Sequence, residues 1–206
     1  MKNRMHIPTV ADAPVASKKT LEMIGSQLGF VPNLQRLMGN SPVVLNGWFD
    51  LFTTFGALLD LKTRTGIALA VSEVNGCSYC LSVHHYTAIN MAKMDKAEIV
   101  LNRTGESGDP KRAAAIHFAR QVVGKRGKVS NEEFLAVKKA GYSDKEIIEI
   151  VGLSVLFLMT NFMNNVNDTQ VDLPEVVEPN PLNAFYADPN GDGQGYNAYI
   201  TCGVGG

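Results

Sequence analysis

Helix-start signals punctuate this chain so regularly that little room is left for a sheet. Ser41-Pro42 and Asp109-Pro110 each set an oxygen-bearing N-cap before a proline at the first helical position. Ser130-Asn-Glu-Glu133 and Ser143-Asp-Lys-Glu146 are capping boxes, in which serine and glutamate reciprocally satisfy two orphan backbone N–H groups. Between these signals apolar residues recur at helical spacing, as in Leu21, Ile24 and Leu28 or Ile67, Val71 and Val74. Ser17 is expected to cap a helix running to Leu28, with Gly29 ending it. Further helices are expected over Pro32 to Met38, from Ser41 through Phe52, over Lys62 to Val74, and from the region after Gly76 to about Met91. Asp95 should cap Lys96 to Asn102, and the helix opened by Ser130 should stop at Gly141. Period-two strand patterns and hairpin turns do not occur. The expected class is all-α.

Two regions are expected: a helical domain over residues 1–170 and an extended, Pro/Gly-rich tail over 171–206. The tail holds Pro174, Pro179, Pro181 and Pro189, with glycines recurring from Gly191 onward. Its apolar members, among them Val176, Leu182, Phe185, Tyr186, Tyr196 and Tyr199, suggest that it packs on its own domain or on a neighbouring subunit. With 19 basic and 20 acidic residues the net charge is −1, which argues against a nucleic-acid partner. The start, Met1 to Pro8, carries no apolar run, so no secretory leader is expected. The most apolar window, Ile147 to Met163, is interrupted by Glu149, Gly152 and Asn161 and reads as a buried core helix rather than a membrane span. A cytoplasmic location is the expectation.

In that setting Glu73-Val-Asn-Gly-Cys77-Ser-Tyr-Cys80-Leu-Ser-Val-His84-His85 stands out. Two of the chain's three cysteines lie three residues apart, and His84 follows Cys80 by four, one helical turn on the same face. A thiolate is the attacking form of cysteine, and its formation from a thiol of pKa about 8.5 needs help. A helix starting near Cys77 would assist that sulfur through its N-terminal dipole. His84 would assist Cys80, as proton acceptor or as imidazolium. The residues alone do not decide between the two sulfurs. Either way the second thiol can close a disulfide and resolve a sulfenic acid. A zinc site from Cys77, Cys80 and His84, with His85, His117 or Glu73 as fourth ligand, is the competitor. It lacks the second Cys/His pair that structural zinc usually joins. A thioredoxin fold is disfavoured because it needs strands.

The run from Ile67 through Cys77 and Cys80 to His84 resembles the signature of the carboxymuconolactone decarboxylase / alkyl hydroperoxidase D-like family. The likeness continues through Ala97-Glu98-Ile99, Asp109-Pro-Lys111, Ala140 to Ile148 and Asn161 to Asn167, spanning roughly Pro8 to Leu173. The resemblance implies an all-helical bundle assembled as a trimer or hexamer, and thiol peroxidase chemistry. It implies that Cys80 attacks the hydroperoxide, Cys77 resolves it, and His84 joins a proton relay completed by a glutamate on the preceding helix. Here the sequence departs from the family: Thr65 stands at the usual glutamate position, twelve residues before Cys77. Glu73, two turns further on, is the substitute relay candidate; its other reading is a helix-end carboxylate facing solvent or an interface. The implied partners are a hydroperoxide and a dithiol reductant, protein or small thiol, with no cofactor, resident metal or membrane. Alternatives are a lactone decarboxylase-type reaction, which has no use for the cysteine pair, and a non-catalytic redox-sensing helical oligomer.

Lesser candidates remain. His117 among Ala113, Ala114 and Phe118 reads as a packed histidine with one satisfied nitrogen. Asp188-Pro-Asn190-Gly-Asp192-Gly193 matches the first half of a calcium loop, but Tyr199 replaces the bidentate glutamate. Asn161, Asn164, Asn165 and Asn167 are expected to hydrogen-bond across a helix interface. Cys202 carries no assigned role.

Overall fold

The computed structural model describes residues 3–173. The calcium-like loop, Cys202 and the tail beyond Leu173 lie outside the described residues. Within them the expected class holds, with helices throughout and no strand. The helices are α1 (Val15–Leu28), α2 (Asn33–Met38), α3 (Pro42–Phe55), α4 (Leu61–Val74), α5 (Ser78–Asn90), α6 (Lys96–Thr104), α7 (Pro110–Gly124), α8 (Asn131–Lys139) and α9 (Asp144–Asn167).

Local chemistry sets these boundaries. The Ser41, Asp95 and Asp109 side chains each accept the N–H three residues on, and both capping boxes close on Glu133 and Glu146. Asp60 caps α4 in the same way, accepting from Thr63 N–H at 3.0 Å. One expectation fails. Helix α1 starts at Val15 after Pro14, and Ser17 lies inside it, buried. Its hydroxyl donates to the Gly39 carbonyl at 2.8 Å, so it ties α1 to the end of α2 instead of capping.

Helix α4 is central and packs against α5, α6, α7 and α9. Three apolar clusters make up the core, two of them large. One joins Ile67 and Val71 to Ile116, Ala119, Ile150 and Leu153. The other joins Leu21, Ile24, Leu45 and Trp48 of α1 and α3 to Leu156 of α9, and it encloses Cys77, Tyr79 and Cys80. Helix α9 is long and apolar enough, by length and composition, to cross a membrane. It contributes Ile147, Ile150, Leu153, Leu156 and Phe157 to the core, the use expected of a core helix. Its other face leaves Ile148, Val155, Phe162 and Val166 exposed at helical spacing.

Candidate functional site

The turn between α4 and α5 builds the site. Asn75 ends α4, and Gly76 takes a positive φ of 59° that a glycine adopts without strain. Cys77 then becomes the N-cap of α5, and its Sγ accepts the Cys80 N–H at 3.2 Å. The Cys77 N–H donates to Ser72 O at 3.0 Å. Asparagines of α9 clamp this turn. Asn161 Nδ2 donates to Ser72 Oγ at 3.2 Å and its Oδ1 accepts from Asn75 Nδ2 at 2.9 Å. Asn165 Nδ2 donates to Asn75 O at 2.7 Å. These are the cross-interface amide bonds expected from the sequence.

Cys77 and Cys80 form a disulfide with Cα atoms 5.3 Å apart, inside the usual range. Both are buried, with 0 % and 3 % exposure. Asn164 reaches the pair: its Nδ2 donates to Cys80 Sγ at 3.3 Å. Sequence reasoning expected Asn164 to hydrogen-bond across a helix interface but did not foresee a sulfur as its partner. Asn164 is itself 2 % exposed, and its Oδ1 is buried without a hydrogen-bond partner among the described residues. The Trp48 indole N–H, in the same apolar cluster, is in the same condition.

His84 lies one turn beyond Cys80, edge-on to the Phe157 ring at 5.2 Å between centroids. Burial lowers its pKa to about 4, because the imidazolium loses its hydration. At neutral pH the ring is uncharged. Tyr79 points the other way. Its hydroxyl donates to Asp172 Oδ1 at 2.9 Å and accepts the Leu34 N–H at 3.3 Å, while Asp172 Oδ2 accepts the Asn33 N–H at 2.6 Å. Burial, then the Asp172 charge, pushes the phenol well above its ordinary range. The tyrosine thus pins α5 to the start of α2.

Glu73 is buried, and its Oε2 accepts from Arg103 Nε of α6 at 2.7 Å, an ion pair that the sequence did not announce. It faces the protein interior rather than solvent. Thr65 is also buried, and its hydroxyl donates to Leu61 O of its own helix at 2.7 Å, leaving it no proton to pass toward the sulfurs. His117 departs from expectation: it is exposed on α7, within 3.3 Å of Gln121 Nε2. It lines a shallow cleft with Ala113, Phe118, Glu133 and Val137 that shares no residue with the sulfur site. Among the described residues no three His, Cys, Asp or Glu side chains converge as metal ligands.

Residues 44–121 match the carboxymuconolactone decarboxylase family. The match contains Glu73, Cys77, Cys80 and His84 and stops short of α9 with Asn164. Solved structures extend the likeness to the whole helical unit. The alkylhydroperoxidase AhpD core, an uncharacterized peroxidase-related protein from Ralstonia eutropha JMP134, is 21% identical. That alignment covers 84% of this chain and 93% of the other, with a TM-score of 0.73. A peroxidase-related protein from Silicibacter sp. TM1040 is also 21% identical, covering 82% and 91%, with a TM-score of 0.71. A cysteine-to-alanine variant of the debrominase Bmp8, in complex with 2,3,4-tribromopyrrole, is 22% identical, covering 84% and 93%, with a TM-score of 0.71. At these identities the likeness establishes the AhpD-like all-helical fold. No curated protein matches the chain.

Proposed function

We propose that this protein is a thiol peroxidase that reduces hydroperoxides with its Cys77/Cys80 pair. The Cys80 thiolate attacks the terminal oxygen of the hydroperoxide. The S–O bond forms, the O–O bond breaks, and the electron pair leaves on the alkoxide, which takes a proton to become alcohol. The terminal hydroxyl stays on sulfur as a sulfenic acid. Cys77 then attacks that sulfur and closes the disulfide, and the hydroxyl departs with the Cys77 proton as water. An external dithiol reduces the disulfide and is itself oxidised. His84 lies one turn on along α5, and its ring, kept uncharged by burial, would relay a proton without holding the charge. Glu73 is held by Arg103, so its part is to fix α4 against α6 unless that pair opens.

The observation that carries the reading is the sulfur pair itself. The two sulfurs are within bonding reach, and each accepts an N–H, from Cys80 to Cys77 Sγ and from Asn164 to Cys80 Sγ. Structural burial of cysteine alone does not call for donors on both. The exposed apolar stripe on α9 supports a homo-oligomer.

Turnover of cumene hydroperoxide with dithiothreitol tests the reading. Cys80→Ser should abolish it, and Cys77→Ser, treated before any thiol is added, should consume one hydroperoxide per chain to leave a Cys80 sulfenic acid. Undiminished turnover in Cys80→Ser sinks the assignment. One stoichiometric oxidation of the native pair, with no turnover under any dithiol, would make it a sensor instead. The Bmp8 likeness makes 2,3,4-tribromopyrrole the comparison substrate, since a thiolate can also attack a polarised halogen. Faster consumption of that ring than of hydroperoxide would move the reading to dehalogenation.

A further inference from the structure

We propose that Asn164 is a catalytic residue: its carboxamide N–H stabilises the Cys80 thiolate, and its free carbonyl oxygen receives the hydroxyl of the Cys80 sulfenic acid. The proposal rests on the peroxidase reading for its second half and on geometry alone for its first.

Cys80 lies in an apolar cluster, and burial of this kind raises a thiol pKa and makes the sulfur inert. Something must offset that for the sulfur to react. An imidazolium at His84 does not do so, since burial holds that ring neutral. Several charged groups around α5 have partners away from the sulfurs. Glu73 of α4 binds Arg103 of α6, Glu98 of α6 binds Arg112, and Asp172 takes the Tyr79 hydroxyl. Cys77 Sγ accepts the α5 backbone N–H. Helix α9 presents amides at this level, and the Asn164 amide is the donor that reaches Cys80 Sγ.

A carboxamide has a second end. Asn164 Oδ1 is buried and unpartnered among the described residues, a costly arrangement for an acceptor with two lone pairs. It shares a planar group with the nitrogen that already touches the sulfur. A proton carried by that sulfur, as S–H or as S–O–H, is the donor it lacks in the disulfide state. One side chain thus serves both reacting forms, donating to the anion and accepting from the acid. Asn161 and Asn165, on either side of Asn164, bond to the α4–α5 turn, which fixes the height of Asn164 over the sulfur.

The test uses full-length protein with Cys77→Ser and Cys202→Ser, so that Cys80 is the one thiol left. Its pKa is read from thiolate absorbance near 240 nm against a cysteine-free control. Loss of a hydrogen bond to a charged group should raise the pKa by about one to two units, or roughly ten- to a hundredfold in thiolate at neutral pH. Asn164→Leu should show this rise, and the nearly isosteric Asn164→Asp a larger one, since it replaces the donor with a negative charge. Asn164→Ala, which only removes atoms, gives the same reading should the larger replacements disturb packing. An unchanged pKa in these variants overturns the donor role. Mass spectrometry over time after several equivalents of hydroperoxide, with no thiol added, tests the acceptor. With native Asn164 or Asn164→Asp, Cys80 should hold one added oxygen. With Asn164→Leu it should progress to two. Equal persistence of the single-oxygen form in all three overturns the acceptor role. Complete inertness of Cys80 to hydroperoxide, with the pKa shifts intact, would instead remove the peroxidase reading and leave the donor role standing.

Discussion

Replacing Gly66 by alanine should destabilise the protein even though alanine is the better helix former. Gly66 of α4 lies against Ile116 of α7 and Asn102 of α6. A Cβ there would sit 2.6 Å from Asn102 Oδ1 and 3.0 Å from Ile116 Cγ1, and would overlap Ile116 Cδ1. Neither neighbour can move cheaply. Ile116 and Asn102 are fully buried, and Asn102 Nδ2 is fixed by bonds to Glu98 Oε1 and Glu106 O, both at 3.0 Å. Alanine gains about 1 kcal/mol in helix propensity. Overpacking a fixed core costs about 1–3 kcal/mol, and the Asn102 contact places this site at the upper end. The net should be a loss of about 1–2 kcal/mol, or roughly 2–8 °C in Tm for a chain of this size. Gly47 supplies the control. It lies exposed within α3 with nothing within 4 Å of its hypothetical Cβ, so Gly47→Ala should gain up to about 1 kcal/mol. Thermal unfolding followed by circular dichroism reads both. If Gly66→Ala is as benign as Gly47→Ala, the close α4–α7 crossing is wrong, and with it the packing that positions the sulfur turn.

Two further outcomes follow from the site's surroundings. His84 is held near a pKa of about 4 when folded, against about 6.5 unfolded, so the unfolded chain takes the proton first. Its contribution should be complete above pH ~6.5 and fall, by on the order of 2 kcal/mol, as pH drops toward 4. Urea unfolding of the native protein and His84→Gln at pH 7 and 4.5 checks this, and equal losses in both would refute it. Breaking the buried Glu73–Arg103 pair by Arg103→Met should cost about 3 kcal/mol, and adding Glu73→Gln should recover part of it. A double variant as unstable as the single one would mean that Arg103 acts through packing rather than charge.

The legible parts of this fold were those written in local chemistry. N-caps at Ser41, Asp95, Asp109, Ser130 and Ser143 each accept a backbone N–H within three residues, so the signal and the structure occupy the same short stretch. Ser17 misled because a serine hydroxyl satisfies a distant carbonyl as readily as a helix end, and Gly39 is 22 residues away. The sulfur pair was legible for the same local reason, as Cys77, Cys80 and His84 share one helix and its cap. What was hidden is long-range. The Arg103–Glu73 pair spans 30 residues and the Asn164–Cys80 contact spans 84. The available clue was four asparagines in seven residues ending an apolar helix, where every amide must find a partner. Spacing within α9 could not say that one partner would be a sulfur.

The chemistry of the pair depends on how an apolar cluster treats charge. The burial that keeps His84 neutral would also hold both thiols protonated and unreactive. A nearby cation or carboxylate relay could answer this, but Thr65 offers no carboxylate and its hydroxyl is bonded to its own helix. The protein instead places one neutral N–H on each sulfur, a backbone amide on Cys77 and a side-chain amide on Cys80. Neutral donors cost far less to bury than an ion, and they do not switch off as pH changes. They act only at hydrogen-bond range, so the reactivity of the pair depends on the turn geometry that Asn75, Asn161 and Asn165 maintain. Changes in that amide row should alter thiol chemistry without touching a sulfur.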